Sequence, residues 1–253
     1  MEFASGYLYM YSTVFAIYGT PQYNKLDMQD KKYKLSPSDF GYLWNDCKHC
    51  YYHKVKYGIA SPGIFPSMFG RINKLLQDSI MGNNLNSIHP ELPSGIISIQ
   101  EGFLRSIPIP GATNCYIQGR FDILTRLDDG TYTVIDFKIT PPDEEKLLDK
   151  YSSQLHAYKF ALENPEKGDP VQISKLGIVS VNPEEMRLEG GKIIFTAVPR
   201  YHEVKTDMNT FYSLISDISK VLEGDKPLPT ESCGLCRYRA YFMDSGSEED
   251  IPF

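Results

Sequence analysis

Two neighbouring stretches decide the fold: Gly119-Arg-Phe-Asp122 and Val134-Ile-Asp136-Phe-Lys138. They lie within two runs of β-prone residues, 115–127 and 131–140, on either side of Asp128-Asp129-Gly130. Alternating β-prone residues around a short acidic segment that closes on a glycine predict a β-hairpin. This hairpin organises the predicted elements on either side of it.

The length of the hairpin loop determines which side chains face one another. A three-residue loop with Gly130 in the left-handed conformation places Asp122 opposite Asp136, and the two-residue period of a strand places Lys138 on the same face. Facing carboxylates repel each other, and a divalent cation between them would remove that repulsion. A two-residue loop would instead put the two carboxylates on opposite faces. The prediction of a metal site therefore depends on the longer loop.

A helix is expected directly after the hairpin. The pair Pro141-Pro142 ends the second strand, and Asp143 is the expected N-cap of a helix over residues 144–163. Gln154 and Tyr158 are four residues apart and therefore share one side of that helix. We expect this side to pack against the strand that carries the second carboxylate.

An ordered set of residues in this strand–strand–helix context resembles the motif of the PD-(D/E)XK nuclease superfamily: Gly119, Asp122, Asp136, Lys138, Gln154 and Tyr158. More narrowly, the sequence resembles the RecB-like branch, which includes CRISPR-associated adaptation nucleases. The resemblance covers roughly residues 35 to 240. It implies an α/β fold with a restriction-endonuclease-like core, in which helices flank a central mixed β-sheet.

The resemblance also implies roles for these residues in phosphodiester hydrolysis. Asp122 and Asp136 would hold Mg²⁺ or Mn²⁺, with the backbone carbonyl of Phe137 as a further ligand. Lys138 would orient the attacking water, while the glutamine and the tyrosine of the next helix would hydrogen-bond a substrate phosphate or the lysine. The predicted function is a metal-dependent deoxyribonuclease that acts on single-stranded ends or flaps, and the strand preference comes from the resemblance alone.

The sequence departs from the family pattern on a helix predicted over residues 67–80. Where the family has Gly-x-x-His with a metal-binding imidazole, this chain has Gly70-Arg-Ile-Asn73. An amide oxygen binds a hard cation, but less strongly than a carboxylate does. Asn73 is therefore a candidate metal ligand. The alternative is a weakly active or inactive nucleic-acid-binding module, or a subunit of a DNA repair or defence complex, on the same fold.

Four of the five cysteines form two widely separated Cys-x-x-Cys pairs, Cys47/Cys50 and Cys233/Cys236. Such pairs commonly complete a tetrahedral four-sulfur site, and the two-plus-two spacing fits Zn²⁺. The RecB-like resemblance instead favours a [4Fe-4S] cluster, which uses one N-terminal and three C-terminal cysteines. The last of those three would fall at Phe242, so Cys50 would replace it. Either group would clamp the two ends of the domain together.

Composition limits the class of protein. The chain has 253 residues, enough for one sizeable α/β domain. A net charge of −6 disfavours a general nucleic-acid binder, which is usually basic, but allows a local basic groove. We expect an aromatic segment and linker over residues 1–34, the nuclease domain with its cysteine clamp over 35–240, and an acidic tail over 241–253.

The expected partner is DNA, single-stranded rather than double-stranded, together with a protein partner if the chain belongs to a repair or defence complex. The apolar run 7–18 is too short to span a bilayer, and there is no signal-peptide pattern. We therefore expect a cytoplasmic protein with no membrane partner.

Two further predictions concern secondary structure. A helix capped by Ser36 is expected to run without a break from Pro37 through the first cysteine pair to Tyr52. Near the other end of the domain, residues 184–191 are expected to form a turn, and residues 192–204 a single strand.

Overall fold

The computed structural model describes residues 32–59 and 67–244. The expected N-terminal aromatic segment and most of the acidic tail lie outside these residues. The strands are β1 (Tyr33–Leu35), β2 (Gly95–Arg105), β3 (Cys115–Leu127), β4 (Tyr132–Ile139), β5 (Ile173–Val181), β6 (Glu185–Glu189), β7 (Lys192–Thr196) and β8 (Arg200–Val204). The α-helices are α1 (Lys48–Tyr57), α2 (Ser67–Ile80), α3 (Glu144–Glu163), α4 (Met208–Glu223) and α5 (Gly234–Asp244).

The main sheet is mixed and follows the order β1-β3-β4-β5-β8, with β2 paired to β3 as well. Strand β3 pairs antiparallel with β2 and β4, and parallel with β1. Strand β5 runs parallel to β4 and antiparallel to β8. Helix α3 makes the crossover between the parallel strands β4 and β5, as parallel pairing requires. The predicted α/β fold with a central mixed sheet is confirmed.

The hairpin between β3 and β4 is confirmed, and it has the three-residue loop on which the prediction of a metal site depends. The N–H of Leu127 donates to the carbonyl of Thr131 at 2.8 Å, and Gly130 has a φ of 85°, in the left-handed region. The register follows, with Ile123 opposite Ile135.

Each face of the sheet packs against helices, and the alternation of side chains along the strands divides the core into two layers. Val134 and Leu124 belong to the larger layer, which includes residues of α1, α3 and α4. Ile135 and Phe137 belong to the smaller layer, which includes the end of α2. Since Asp136 and Lys138 have even numbers, they lie on the α3 side of β4.

The predicted helix from Pro37 to Tyr52 is wrong, because the chain is interrupted before α1. A 3₁₀ turn, Pro37–Asp39, leads into a π-helical turn, Phe40–Trp44, and Cys47 then adopts an extended conformation with a φ of −161°. The extended residue N-caps α1 and allows its sulfur to reach the other cysteines. A Cβ at Gly41 would overlap the backbone carbonyl of Lys150, so the π-helical turn lies directly on α3.

The predicted turn and single strand over residues 184–204 are also wrong. Gly190 and Gly191 both have positive φ and connect β6 and β7 as a separate hairpin, after which β8 pairs with β5. Near the other end, Tyr33 and Lys34 were expected in a linker, but they belong to β1. Within the described part of the chain, no helix is long and apolar enough to cross a membrane.

Candidate active site at the fork of the sheet

The candidate site lies where strands β3 and β4 diverge. Their pairing ends at Ile123 and Ile135, and beyond that point β4 pairs with β5 alone. Asp122 directly precedes Ile123 in β3 and is the first residue outside the paired segment. Its Oδ2 accepts a hydrogen bond from the backbone N–H of Phe137 at 2.8 Å, which replaces a strand-to-strand bond. Where the two strands separate, the backbone of β4 therefore orients the Asp122 carboxylate.

Asp136 lies beside the fork with partners on both oxygens. Asp136 is 1% exposed, and its Oδ2 is 2.6 Å from the Nζ of Lys138. The Nε2 of Gln154 donates to its Oδ1 at 3.1 Å and lies 2.6 Å from the hydroxyl of Tyr158. A buried carboxylate needs such compensation, because an isolated charge in a core is costly. The structure therefore brings together four of the residues expected at the site.

The positions of Gln154 and Tyr158 differ from the sequence expectation in one respect. Both residues are 4% exposed and lie behind Asp136, so the Gln154 amide contacts the carboxylate rather than a surface that a substrate phosphate can reach. Burial, together with the negative charge of Asp136, raises the pKa of Tyr158 and keeps its hydroxyl protonated. These contacts position Asp136; a direct role of either residue with substrate stays a prediction.

Asp122 has an unusual protonation equilibrium. Burial, and then the negative charge of Asp136, raise its pKa to about 7, although Lys138 and the hydrogen bonds of Phe137 and Asn73 oppose the shift. A carboxyl group whose ionisation is disfavoured by burial and by a neighbouring carboxylate, in a concave site, is typical of a metal-binding or catalytic centre.

Lys138 provides the positive charge of the site. Burial disfavours that charge, but Asp136 and Asp122 outweigh it and raise the pKa of the lysine above its usual value. The ammonium group also lies 4.5 Å from the ring centroid of Tyr151. It is therefore held as a cation between carboxylates and an aromatic face.

A cavity of about 410 Å³ opens onto these groups. Asp122, Phe137 and Lys138 line it from the sheet, and Asn73 lines it from α2. Gly70, Ile139 and Thr140 also line it. The sequence reasoning did not place four further lining residues here, since aromatic and lysine residues on helices carry no motif: Tyr42, Phe69, Lys150 and Tyr151. The hydroxyls of Tyr42 and Tyr151 share a short hydrogen bond, and the Lys150 ammonium lies 3.7 Å from the Tyr42 ring centroid.

The donors at the fork fit a hard divalent cation. Two carboxylates, Asp122 and Asp136, and the backbone at Phe137 supply the oxygen ligands that Mg²⁺ and Mn²⁺ prefer. The Oδ1 of Asn73 is buried and has no hydrogen-bond partner among the described residues, so it is an amide oxygen available to a cation. The set contains oxygen donors only, and no thiol or imidazole.

The four paired cysteines come together in a cluster of their own. The sulfurs of Cys47, Cys50, Cys233 and Cys236 all lie within 4.8 Å of one another. Their separations include 3.5 Å for Cys50–Cys236, 3.6 Å for Cys47–Cys236 and 3.7 Å for Cys50–Cys233. The N- and C-terminal parts of the described chain therefore meet at a site suited to a soft metal.

Both Cys-x-x-Cys pairs lie at the start of a helix, α1 and α5 respectively. Burial opposes ionisation of Cys47, but hydrogen bonds from Thr230 and from the backbone of Cys50 lower its pKa to about 6. Burial and the neighbouring thiols raise the pKa of Cys50. Helix N-termini favour thiolates, the form that binds metals.

The chain was compared with known proteins. A search of the curated proteins found no match. Among solved structures, the chain is similar to "Crystal structure of SSO0001", with 18% sequence identity over 77% of this chain and 78% of that one, and a TM-score of 0.45. The family model described as the PD-(D/E)XK nuclease superfamily matches residues 68–241. This match spans more than half of the chain and contains the fork, and the protein belongs to the PD-(D/E)XK nuclease superfamily.

Proposed function

We propose that this protein is a divalent-metal-dependent deoxyribonuclease of the RecB-like branch. The observation that carries the proposal is the group at the fork: Asp122 and Lys138 line an open cavity of about 410 Å³, and the buried carboxylate of Asp136 lies beside them, paired with Lys138. Superfamily membership supports phosphodiester hydrolysis. The four-cysteine site supports the narrower branch, whose members also join the two ends of the domain through four cysteines, although this chain places two at each end.

Each residue at the fork has a distinct task in this proposal. Asp122 and Asp136 would hold Mg²⁺ or Mn²⁺, with the carbonyl of Phe137 and the amide oxygen of Asn73 as further ligands. The bound ion stabilises charge on a phosphate and lowers the pKa of a water molecule. Lys138, which is 21% exposed at its side chain, would hydrogen-bond the attacking water and offset negative charge on the phosphate.

The contacts behind the fork maintain this arrangement. Gln154 donates to Asp136 and so holds the orientation of that carboxylate, which leaves its second oxygen for Lys138. The hydroxyl of Tyr158 contacts the same glutamine amide. Because both side chains are buried, they act through Asp136.

Single-stranded DNA is the substrate that the cavity favours. Three aromatic rings, those of Tyr42, Phe69 and Tyr151, line it together with Lys150. Unpaired bases stack on aromatic side chains, while lysines contact the backbone, and this combination is typical of single-strand binding. A base-paired duplex leaves no base faces free for such stacking.

Cleavage of labelled single- and double-stranded DNA tests the proposal. We expect the wild type to cut single strands with Mn²⁺ or Mg²⁺ and to stop when the ion is withheld. Asp136→Ala and Lys138→Ala should lower the rate by a factor of at least about 100, because each removes charge stabilisation in a desolvated site. The matched control is Asp128→Ala, which removes an exposed carboxylate from the loop of the same hairpin and should leave the rate unchanged.

Two outcomes would contradict the proposal. If Asp136→Ala cut DNA at the wild-type rate while remaining folded by circular dichroism, the fork would not be the reacting centre. If the wild type cut nothing with either ion, the centre would have lost its metal affinity, and Asn73 in place of the family's histidine would be the reason. The chain would then be a nucleic-acid-binding module or a subunit of a repair or defence complex, with binding that does not depend on divalent ions.

We further propose that the four cysteines hold Zn²⁺ rather than a [4Fe-4S] cluster. Four sulfurs at about 2.3 Å from one zinc ion form a tetrahedron with edges of about 3.8 Å. Three of the six separations are 3.5–3.7 Å, close to that edge, and all six lie within 4.8 Å. In a cluster, each thiolate binds a different iron, so the sulfurs surround an eight-atom core and lie farther apart. Metal analysis of the purified protein distinguishes the two groups.

A further inference from the structure

A second cavity, of about 440 Å³, lies beside the four-cysteine site. It is lined by residues of α1 and α5, by Ile59 just after α1, and by the segment that precedes α5. Four basic side chains line it: His49, His53, Lys226 and Arg239. None of its described lining residues is acidic. This cavity plays no part in the chemistry proposed for the fork.

The two cations in this cavity, Lys226 and Arg239, are close enough to influence the histidine beside them. Burial, followed by the proximity of His49, Arg239 and Lys226, lowers the pKa of His53. Neither Lys226 nor Arg239 forms a salt bridge within residues 32–59 and 67–244. In a chain with a net charge of −6, a concave site lined by two cations without a salt bridge, Lys226 and Arg239, is distinctive and attracts anions.

A row of rings extends from the cavity along one face of α1. His49, His53 and Tyr57 are spaced four residues apart, with centroid distances of 4.6 Å and then 5.7 Å. The last residue, Tyr57, is 43% exposed. An exposed ring at the end of such a row offers a flat surface on which a base can stack.

We propose that this cavity binds single-stranded nucleic acid, with phosphates contacted by Lys226 and Arg239 and a base stacked on Tyr57. Cations beside an exposed aromatic ring match the alternation of phosphate and base along an unpaired strand. The inference rests on the proposed function only in taking a nucleic acid as the ligand. It adds a strand-binding site, organised by the cysteine clamp, that is separate from the fork.

Binding of a fluorescently labelled oligothymidine, measured by anisotropy, tests the proposal. All variants carry Asp136→Ala, and no divalent ion is added, so that cleavage does not affect the measurement. Lys226→Ala with Arg239→Ala should weaken binding about 10-fold and reduce the dependence on salt by about 0.7 in the log–log slope for each phosphate that is no longer neutralised. Lys192→Ala with Lys205→Ala removes two exposed positive charges elsewhere and should leave affinity unchanged.

The ring is tested separately from the charges. Tyr57→Ala should weaken binding at least about 5-fold, and Tyr57→Phe should retain affinity, because stacking needs the ring and not the hydroxyl. Unchanged metal content and thermal stability in each variant show that the clamp is intact.

The outcomes separate this inference from the nuclease proposal. If the Lys226/Arg239 pair binds like its control while the wild-type protein still cuts DNA, only the inference is overturned. If inorganic phosphate alone displaces the oligonucleotide at equal phosphate concentration, the ligand is a free phosphate and the inference is again overturned. If neither the wild type nor Asp136→Ala binds any nucleic acid, both proposals fail.

Discussion

Asp122 illustrates how one residue can be suited to function at a cost to stability. Its pKa in the folded chain, about 7, is above the ordinary value of 3.8. A raised carboxyl pKa stabilises the folded state below the ordinary pKa, and this contribution is lost as the pH rises through the folded pKa. The metal-free protein should therefore lose stability between about pH 4 and pH 7.

Asp122→Asn should remove this dependence. In metal-free buffer at pH 8 we expect the variant to melt a few degrees above the wild type, because each pKa unit corresponds to about 1.4 kcal/mol. Near pH 5 the difference should be much smaller, since the wild-type carboxyl is then protonated when folded. Added Mg²⁺ should raise the melting temperature of the wild type and not that of the variant.

Asp128→Asn is the control for this prediction, because its carboxylate is exposed in the loop of the same hairpin. The interpretation of Asp122 would be refuted by a difference in melting temperature that stays the same from pH 5 to pH 8. Such a result would mean that Asp122 titrates normally in the fold.

The π-helical turn is the element that connects packing to the candidate site. Gly41 touches the backbone of α3, and the next residue, Tyr42, contacts both Lys150 and Tyr151 at the cavity. A shift of this turn would therefore move one wall of the cavity as well as a contact of the core.

Gly41→Ala should destabilise the protein by about 3 kcal/mol, because its methyl group would overlap a backbone carbonyl that cannot move independently. Urea unfolding measures this decrease, and the DNA cleavage rate should fall with it as Tyr42 is displaced. Gly70→Ala is the stability control. A Cβ at that helical position has no atom within 4 Å, so it should leave stability unchanged or raise it by up to about 1 kcal/mol. Equal stability of the two variants would contradict the close packing.

Across the whole molecule, the cysteine clamp joins segments that are far apart in sequence. The two pairs open α1 and α5, and His49 adds a contact of 2.7 Å to the carbonyl of Pro227. A metal held by both ends binds the folded chain and not the unfolded one, so its binding free energy adds to the stability of the fold.

The purified protein should contain one zinc ion per chain and show no broad visible absorption. A strong chelator, or Cys233→Ser, should release the zinc and lower the melting temperature by about 4 °C or more, since structural zinc contributes several kcal/mol. Iron in place of zinc, with visible colour after anaerobic purification, would identify an iron–sulfur cluster instead. Absence of any metal would reject the clamp.

The sequence by itself determined the features that depend on local rules. The presence of the hairpin follows from the acidic segment that closes on Gly130, although the length of its loop does not. The bounds of α2 and α3 follow from their periodicity and from the Asp143 cap. The convergence of Asp136 with Lys138 follows from the two-residue period of a strand.

Only the tertiary structure decided the features that depend on contacts between distant segments. The helix is interrupted before Cys47 because the sulfur of Cys47 lies against that of Cys236. The fork arises because β4 separates from β3 and continues to pair with β5 alone. Likewise, Tyr42 and Lys150 reach the cavity only because Gly41 allows the chain to lie on α3. Local propensity and periodicity fix how a short segment folds, whereas burial and long-range packing fix where it ends and what it touches.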